Sequence, residues 1–113
     1  MNKQNKIKKR KEFNYIFNNG KAFFSNTLTL VYTTSKLNKF KVGFSASKKI
    51  GNSVVRNRAR RRMREVVRLH ENNLSKNYNY IFIATPKIDM ADYKDIEKDF
   101  IYVMKKSGLF VES

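Results

Sequence analysis

The chain of 113 residues contains no cysteine and no tryptophan, and it has only one proline and one histidine. Without cysteine it forms no disulfides, thiolate metal sites or thiol nucleophiles. A single histidine excludes a metal site built on several imidazoles. No apolar run approaches the ~20 residues of a membrane-spanning helix, and the first residues lack the apolar segment of a secretory signal. We therefore expect a cytoplasmic protein that does not insert into membranes.

Acidic residues are scarce in the first two-thirds of the chain. Residues 1–70 hold 19 lysines and arginines but only Glu12 and Glu65, which gives this part a net charge of +17. Residues 71–113 carry six lysines and seven acids, so the total of +16 arises from the N-terminal part. A charge that serves only solubility would be spread and mixed in sign. The asymmetry indicates a polyanionic partner.

The hydrophobic pattern predicts one folded α+β domain spanning residues 1–113, with a disordered polar tail at 1–6. The expected order is α-β-β-α-β-α: a helix near 8–18, strands at 27–33 and 40–47, a helix at 53–71, a strand at 78–84 and a helix at 92–107. The first two strands alternate and are joined by a short turn, which predicts an antiparallel hairpin. The third is apolar on both faces and is expected to be central. The sheet should be small and mostly antiparallel.

The segment at 56–68 holds seven of the eight arginines of the chain. On a helix that begins after a cap at Asn52 or Ser53, four apolar residues share one face: Val55, Ala59, Met63 and Val66. The outward positions are Asn57, Arg60, Arg61, Arg64 and Arg68, flanked by Arg58 and Arg62 on one side and Arg56 on the other. We call these seven arginines and Asn57 the arginine stripe. The helix is predicted to pack on the domain and to present this stripe outward.

The arginine stripe contains six like-charge pairs at i+3 or i+4, whose repulsion amounts to roughly 1–3 kcal/mol. A solvated helix face would mix acids with bases to avoid this repulsion. The guanidinium group offers a planar fork of donors that matches phosphate oxygens, and it stacks on bases. A membrane surface is a poorer partner, because the apolar face of this helix is needed for the core. The stripe therefore predicts binding to nucleic acid.

The stretch KVGFSASKKIGNSVVRNRARRRMRE at 41–65 resembles the protein subunit of bacterial ribonuclease P. The basic Gly-Asn loop of that family corresponds here to Lys48, Lys49, Gly51 and Asn52. The Arg-Asn-Arg triplet corresponds to Arg56, Asn57 and Arg58, and the following basic positions correspond to Arg60, Arg61 and Arg64. Arg60 stands where many members have lysine. The stretch KKRKEFNYIFNNGK at 8–21 matches a second family feature, so the resemblance covers nearly the whole chain.

The resemblance implies that the chain is an accessory subunit of an endoribonuclease whose catalytic centre is RNA with bound Mg²⁺. The complex removes the 5′ leader of precursor tRNA, and the protein binds the catalytic RNA and the leader, with no cofactor or small-molecule substrate of its own. The implied fold is one α/β sandwich whose βαβ crossover is left-handed, against the general rule. The stripe and the resemblance together give the predicted RNA-binding residues: Lys48, Lys49, Asn52, Arg56, Asn57, Arg58, Arg60, Arg61, Arg64 and Arg68.

The resemblance also implies a leader cleft between the first helix and the sheet. Its residues here would be Lys9, Phe13, Phe17 and Val31. Phe13 and Phe17 share an ordinary apolar helix face with Ile16, and we favour the cleft for Phe13 and the core for Phe17. Single-stranded RNA is commonly held by aromatic platforms beside a basic groove. Val31 stands where some relatives have an aromatic residue, and Tyr32 beside it should point to the other face of the sheet.

Two other interpretations remain open at this point. A generic RNA-binding or ribosomal-type protein without a role in cleavage shares the charge argument but leaves the loop-plus-helix signature unexplained. A self-sufficient nuclease would need metal-binding carboxylates, and the only dense candidates are Asp89, Asp92, Asp95, Glu97 and Asp99. These acids fit the first turns and solvated face of the last helix, where the helix dipole favours them. We expect no catalytic residue and no metal ligand in the protein, and a structural role for His70.

Overall fold

The computed structural model describes residues 1–112 and contains three helices and a four-stranded sheet. The elements are α1 (Arg10–Asn19), β1 (Lys21–Phe24), β2 (Leu28–Thr34), β3 (Lys41–Ser45), α2 (Ser53–Leu69), β4 (Tyr78–Ala84) and α3 (Tyr93–Ser107). This confirms the expected α+β class. The strand β1 was not expected. No helix within residues 1–112 has the length and apolar content that crossing a membrane requires.

The ends of α2 and α3 are set by their capping residues. The Asn52 side chain accepts a hydrogen bond from the Val55 amide at 3.1 Å, so Asn52 is the N-cap of α2. Asp92 caps α3 through a reciprocal pair of hydrogen bonds with Asp95. Gly108 ends α3 in the left-handed conformation with φ of 81°, which glycine adopts without steric cost.

The strand order in the sheet is β1-β2-β4-β3. The pairs β1–β2 and β2–β4 are antiparallel, and β3–β4 is parallel, with α2 as the crossover between them. The predicted central position of β4 is confirmed. The predicted hairpin between β2 and β3 is wrong, because β4 lies between them. Alternation shows which residues of a strand share a face, but it does not show which strands are neighbours. Because β4 is buried on both faces, it favours a central position with a partner strand on each side.

The helices lie on both faces of the sheet. One face packs α2 and α3 around the main core, which includes Leu30, Tyr80, Phe82, Met63 and Phe100. The other face packs only α1 among the described elements, through a small cluster of Ile16, Val31 and Ile81. The handedness of the β3–α2–β4 crossover stays a prediction.

The first six residues, for which we predicted disorder, lie along the edge of β3. Lys6 forms a parallel bridge with Val42, whose carbonyl accepts from the Ile7 amide at 3.1 Å. The Asn5 side chain donates to the Phe40 carbonyl at 2.7 Å. These contacts satisfy part of the free edge of β3 and place the basic N-terminal segment beside the open face of the sheet.

Candidate nucleic-acid interface

The helix α2 has the two sides that the sequence predicts. Ala59, Met63 and Val66 are buried, whereas Arg61 is exposed on the opposite side. The turn before α2 depends on Gly51, whose φ of 152° lies in the region that favours glycine. This turn places exposed Lys48 and Lys49 next to the N-terminus of α2, where free amide groups add partial positive charge.

The central part of the arginine stripe is weakly engaged by the protein itself. Arg60 donates to the Asn57 side-chain oxygen, so these two residues form one unit on the helix surface. The Nε of Arg56 is buried without a hydrogen-bond partner in the described chain. Arg61 takes part in no ion pair within residues 1–112. The exposed Arg61 guanidinium is therefore available to an external anion, and Arg56 and Arg60 have no acidic partner among the described residues.

Two arginines at the C-terminal end of the stripe have partners within the domain. Arg68 donates to both carboxylate oxygens of Glu65, at 2.7 and 3.3 Å. This hydrogen bonding lowers the pKa of Glu65 below its ordinary value. The Arg64 guanidinium lies 5.4 Å from the centre of the Phe44 ring in a cation–π contact, which orients it beside β3.

The flank of α2 that faces the 86–91 turn is occupied by protein groups. Arg62 donates to the carbonyl oxygens of Ile88, at 3.3 Å, and Ala91. Arg58 forms an ion pair with Asp89 at 2.5 Å. Arg62 therefore has a structural role, although its spacing places it next to the RNA-binding candidates. Its partners lie 26 and 29 residues away, so no local pattern could have indicated them.

The predicted cleft residues lie along α1 and beneath it. Lys9 and Phe13 line a depression of about 410 Å³ with Ile7, Lys8, Arg10 and Asn14. Phe17 is 53% exposed, so our assignment of Phe17 to the core is wrong. Val31 is only 5% exposed and packs with Ile16 under α1. Tyr32 points to the other face, as expected, where it stacks on Phe23.

A further exposed aromatic residue, Phe24, lies on the same face of the sheet as α1. Sheet register places it in a row that crosses all four strands, from Phe24 to Thr29, Ile83 and Ser45. At about 4.8 Å per strand this row spans roughly 15 Å, and Ser45 leads into the Lys48–Lys49 loop. Phe24 is 71% exposed. Sequence reasoning missed it because β1 was not recognised, so its face could not be assigned.

Asp99 and Glu97, in the last third of the chain, make contacts that support the fold. Asp99 accepts from the backbone amide and hydroxyl of Thr27 at 2.9 and 2.6 Å. Glu97 contacts His70 Nε2 at 2.7 Å, and the His70 ring lies beside Phe100. Within residues 1–112, no group of three histidine or acidic residues is arranged to hold a metal ion.

These features define a class of protein: a small basic α+β domain that offers guanidinium groups on one helix and an open aromatic sheet face beside another. This arrangement can bind phosphates and stack bases. The chain matches the Ribonuclease P family over residues 1–108. It belongs to that family, which confirms the resemblance seen in the sequence.

Individual relatives agree with this assignment. The chain is 40% identical over 109 residues to the ribonuclease P protein component of Clostridium botulinum (strain Langeland), covering 96% of this chain and 98% of that protein. It is 37% identical over 110 residues to that of Caldanaerobacter subterraneus, covering 97% and 95%. The solved structure of the Staphylococcus aureus RNase P protein superposes with a TM-score of 0.84 at 27% identity, covering 95% and 98%.

Proposed function

We propose that this chain is the protein subunit of ribonuclease P. It binds the catalytic RNA and the 5′ leader of precursor tRNA, and it promotes endonucleolytic 5′ maturation of tRNA. The observation that supports this function is that the exposed arginines of α2 and the open sheet face beside α1 occur in one small basic fold. The arginine stripe of α2 and the open face beside α1 are joined by the exposed Lys48–Lys49 loop.

The arginine stripe and the loop before it would bind RNA phosphates. Arg56, Arg60 and Arg61 have guanidinium groups without acidic partners in the described chain. The exposed Arg61 fork can donate two hydrogen bonds to one phosphate, and Arg56 and Arg60 would add positive charge beside it. Lys48 and Lys49 add charge at the N-terminus of α2, where the helix dipole also favours anions. Neutralisation by RNA would also relieve the repulsion within the stripe.

The face beside α1 would hold the single-stranded leader. Lys9 contributes charge, and Phe13 and Phe17 contribute aromatic surface from α1. Val31 packs beneath α1 and would support this face from within. Phe24 supplies an aromatic side chain from β1, one strand away from Val31. Stacking contributes about 1–3 kcal/mol per base and tolerates any base, which suits leaders of varied sequence.

The chemical step would belong to the RNA subunit. The protein surface described above offers cations and aromatic rings but no pairing of a nucleophile with a base. We propose that the Mg²⁺ ions needed for hydrolysis are held by RNA and substrate phosphates, which are ligands that Mg²⁺ prefers. The cytoplasm, where precursor tRNA is processed in bacteria, is the proposed location.

Reconstitution tests this function directly. The protein alone, a bacterial ribonuclease P RNA alone and the two together are incubated with Mg²⁺ and precursor tRNA, and release of the leader is measured. We expect no cleavage by the protein alone and faster cleavage by the mixture than by the RNA alone. Robust cleavage by RNA-free protein, or a mixture no faster than the RNA, would contradict the proposal.

A further inference from the structure

The ion pair between Asp89 and Arg58 joins the turn before α3 to the arginine stripe. The Asp89 carboxylate lies 2.5 Å from Arg58 Nη2, with the side chains 36% and 43% exposed respectively. Residues 13–64 contain no acidic residue. The carboxylate that reaches this part of the arginine stripe therefore comes from the acidic last third of the chain.

The position of Asp89 is fixed by the turn that carries it. This turn, Pro86–Met90, is anchored by the fully buried Ile88 side chain. Arg62 donates to the carbonyls of Ile88 and Ala91, on either side of Asp89 in the sequence. Arg62 and Arg58 are one helical turn apart on the same flank of α2. Arg62 thus holds the turn in the place where Asp89 meets Arg58.

A carboxylate and a phosphate compete for the same guanidinium donors. Arg58 has a planar fork of N–H groups. The group that donates to Asp89 is not available to a phosphate that approaches the same edge of the guanidinium. A carboxylate left next to a bound phosphate would also repel it. Both effects weaken RNA binding at this position. The pair is partly exposed, so water can hydrate both groups when it opens and the cost in free energy is small.

We propose that Asp89 is an intramolecular competitor for RNA phosphate at Arg58. In the free protein the carboxylate occupies the guanidinium, and on binding it is exchanged for a phosphate oxygen of the RNA. Asp89 thereby lowers the affinity of the arginine stripe for anions and restricts binding at Arg58 to RNA that can displace it. This inference rests on the proposed function, because it takes Arg58 as an RNA contact.

The test is the equilibrium affinity of Asp89→Asn for a bacterial ribonuclease P RNA. Loss of a partly exposed ion pair should raise affinity about two- to fivefold at low salt, and the gain should shrink as salt rises. A purely structural role would give the opposite result, since damage to the turn would weaken binding. Asp89→Ser is measured beside it, and thermal melts show that each variant folds.

Two controls isolate the pair. Glu112→Gln changes the net charge by the same unit away from the 86–91 turn, and it should leave affinity unchanged. In an Arg58→Ala background, Asp89→Asn should give no gain. An unchanged affinity for Asp89→Asn, or a gain that persists without Arg58, overturns the inference. Suppose that Asp89→Asn leaves the affinity unchanged. If Arg58→Ala alone then weakens RNA binding, Arg58 is still an RNA contact and the proposed function stands. If Arg58→Ala has no effect either, Arg58 is not part of the RNA interface.

Discussion

Arg61 and Arg62 are adjacent in sequence and identical in chemistry, yet the structure gives them separate roles. Arg62 donates to two backbone carbonyls of the 86–91 turn, whereas Arg61 is exposed among the outward positions of the stripe. Each substitution by alanine removes one positive charge from α2. We expect Arg62→Ala to lower mainly the stability of the domain and Arg61→Ala to lower mainly its affinity for RNA.

The magnitude follows from the two carbonyl contacts. Hydrogen bonds to a charged group contribute about 1.5–3 kcal/mol each. Both contacts are only partly buried, so we take about 2.5 kcal/mol for the pair. Removing Arg62 also relieves its repulsion with Arg58, by about 0.5 kcal/mol. The net loss of about 2 kcal/mol corresponds to a fall in Tm of about 8 °C for a chain of 113 residues.

Arg61→Ala should change the free energy of unfolding by no more than about 0.5 kcal/mol, because it removes two like-charge neighbours and no contact that supports the core. Its affinity for RNA should fall by about 1–2 kcal/mol. Thermal melts paired with RNA titrations separate the two effects. Arg61→Lys and Arg62→Lys serve as matched controls, and each should recover only part of the loss because lysine lacks the fork. Equal Tm values for the two alanine variants would refute this division of roles.

Three further predictions test the interface and the fold. If five to eight cationic side chains meet phosphates, a plot of log affinity for RNA against log salt concentration should have a slope of about −4 to −7. A slope near −1 would show that the arginine stripe is not the surface that contacts RNA. Phe24→Ala should weaken binding of leader-bearing precursor tRNA by about 1 kcal/mol and leave binding of mature tRNA unchanged, with exposed Tyr102→Ala as the control. Asp92→Ala removes the cap of α3 and should cost about 1 kcal/mol of stability, which a shift of Tm by about 4 °C would report.

The parts of the fold that follow local rules were predictable from the sequence. The outward face of α2 and the cap at Asn52 depend on spacing and on residues within one helical turn. The family signature at 41–65 likewise identified the class of protein. Strand order was not predictable in this way, because the pairing of β4 with both β2 and β3 depends on contacts far apart in sequence.

The same limit applies to the candidate site. Arg58, Arg61 and Arg62 look alike in the sequence, and only the distant 86–91 turn distinguishes them. Phe17 was assigned to the core because its spacing with Ile16 is that of an ordinary apolar face. In the structure α1 packs on its face of the sheet without a neighbouring helix in the described part of the chain. The apolar face of α1 is wider than its contact with the sheet, and Phe17 therefore remains exposed.

The central position of β4 has a consequence for synthesis on the ribosome. A nascent chain that ends before Tyr78 can form the short β1–β2 hairpin, but β2 and β3 have no common partner until β4 emerges. Until then α2 has no complete sheet to pack on, and its basic surface is exposed beside the RNA of the ribosome itself. Formation of the sheet is therefore a late, nonlocal event in folding. A chain truncated within α2 would lack the strand that joins the two halves of the sheet.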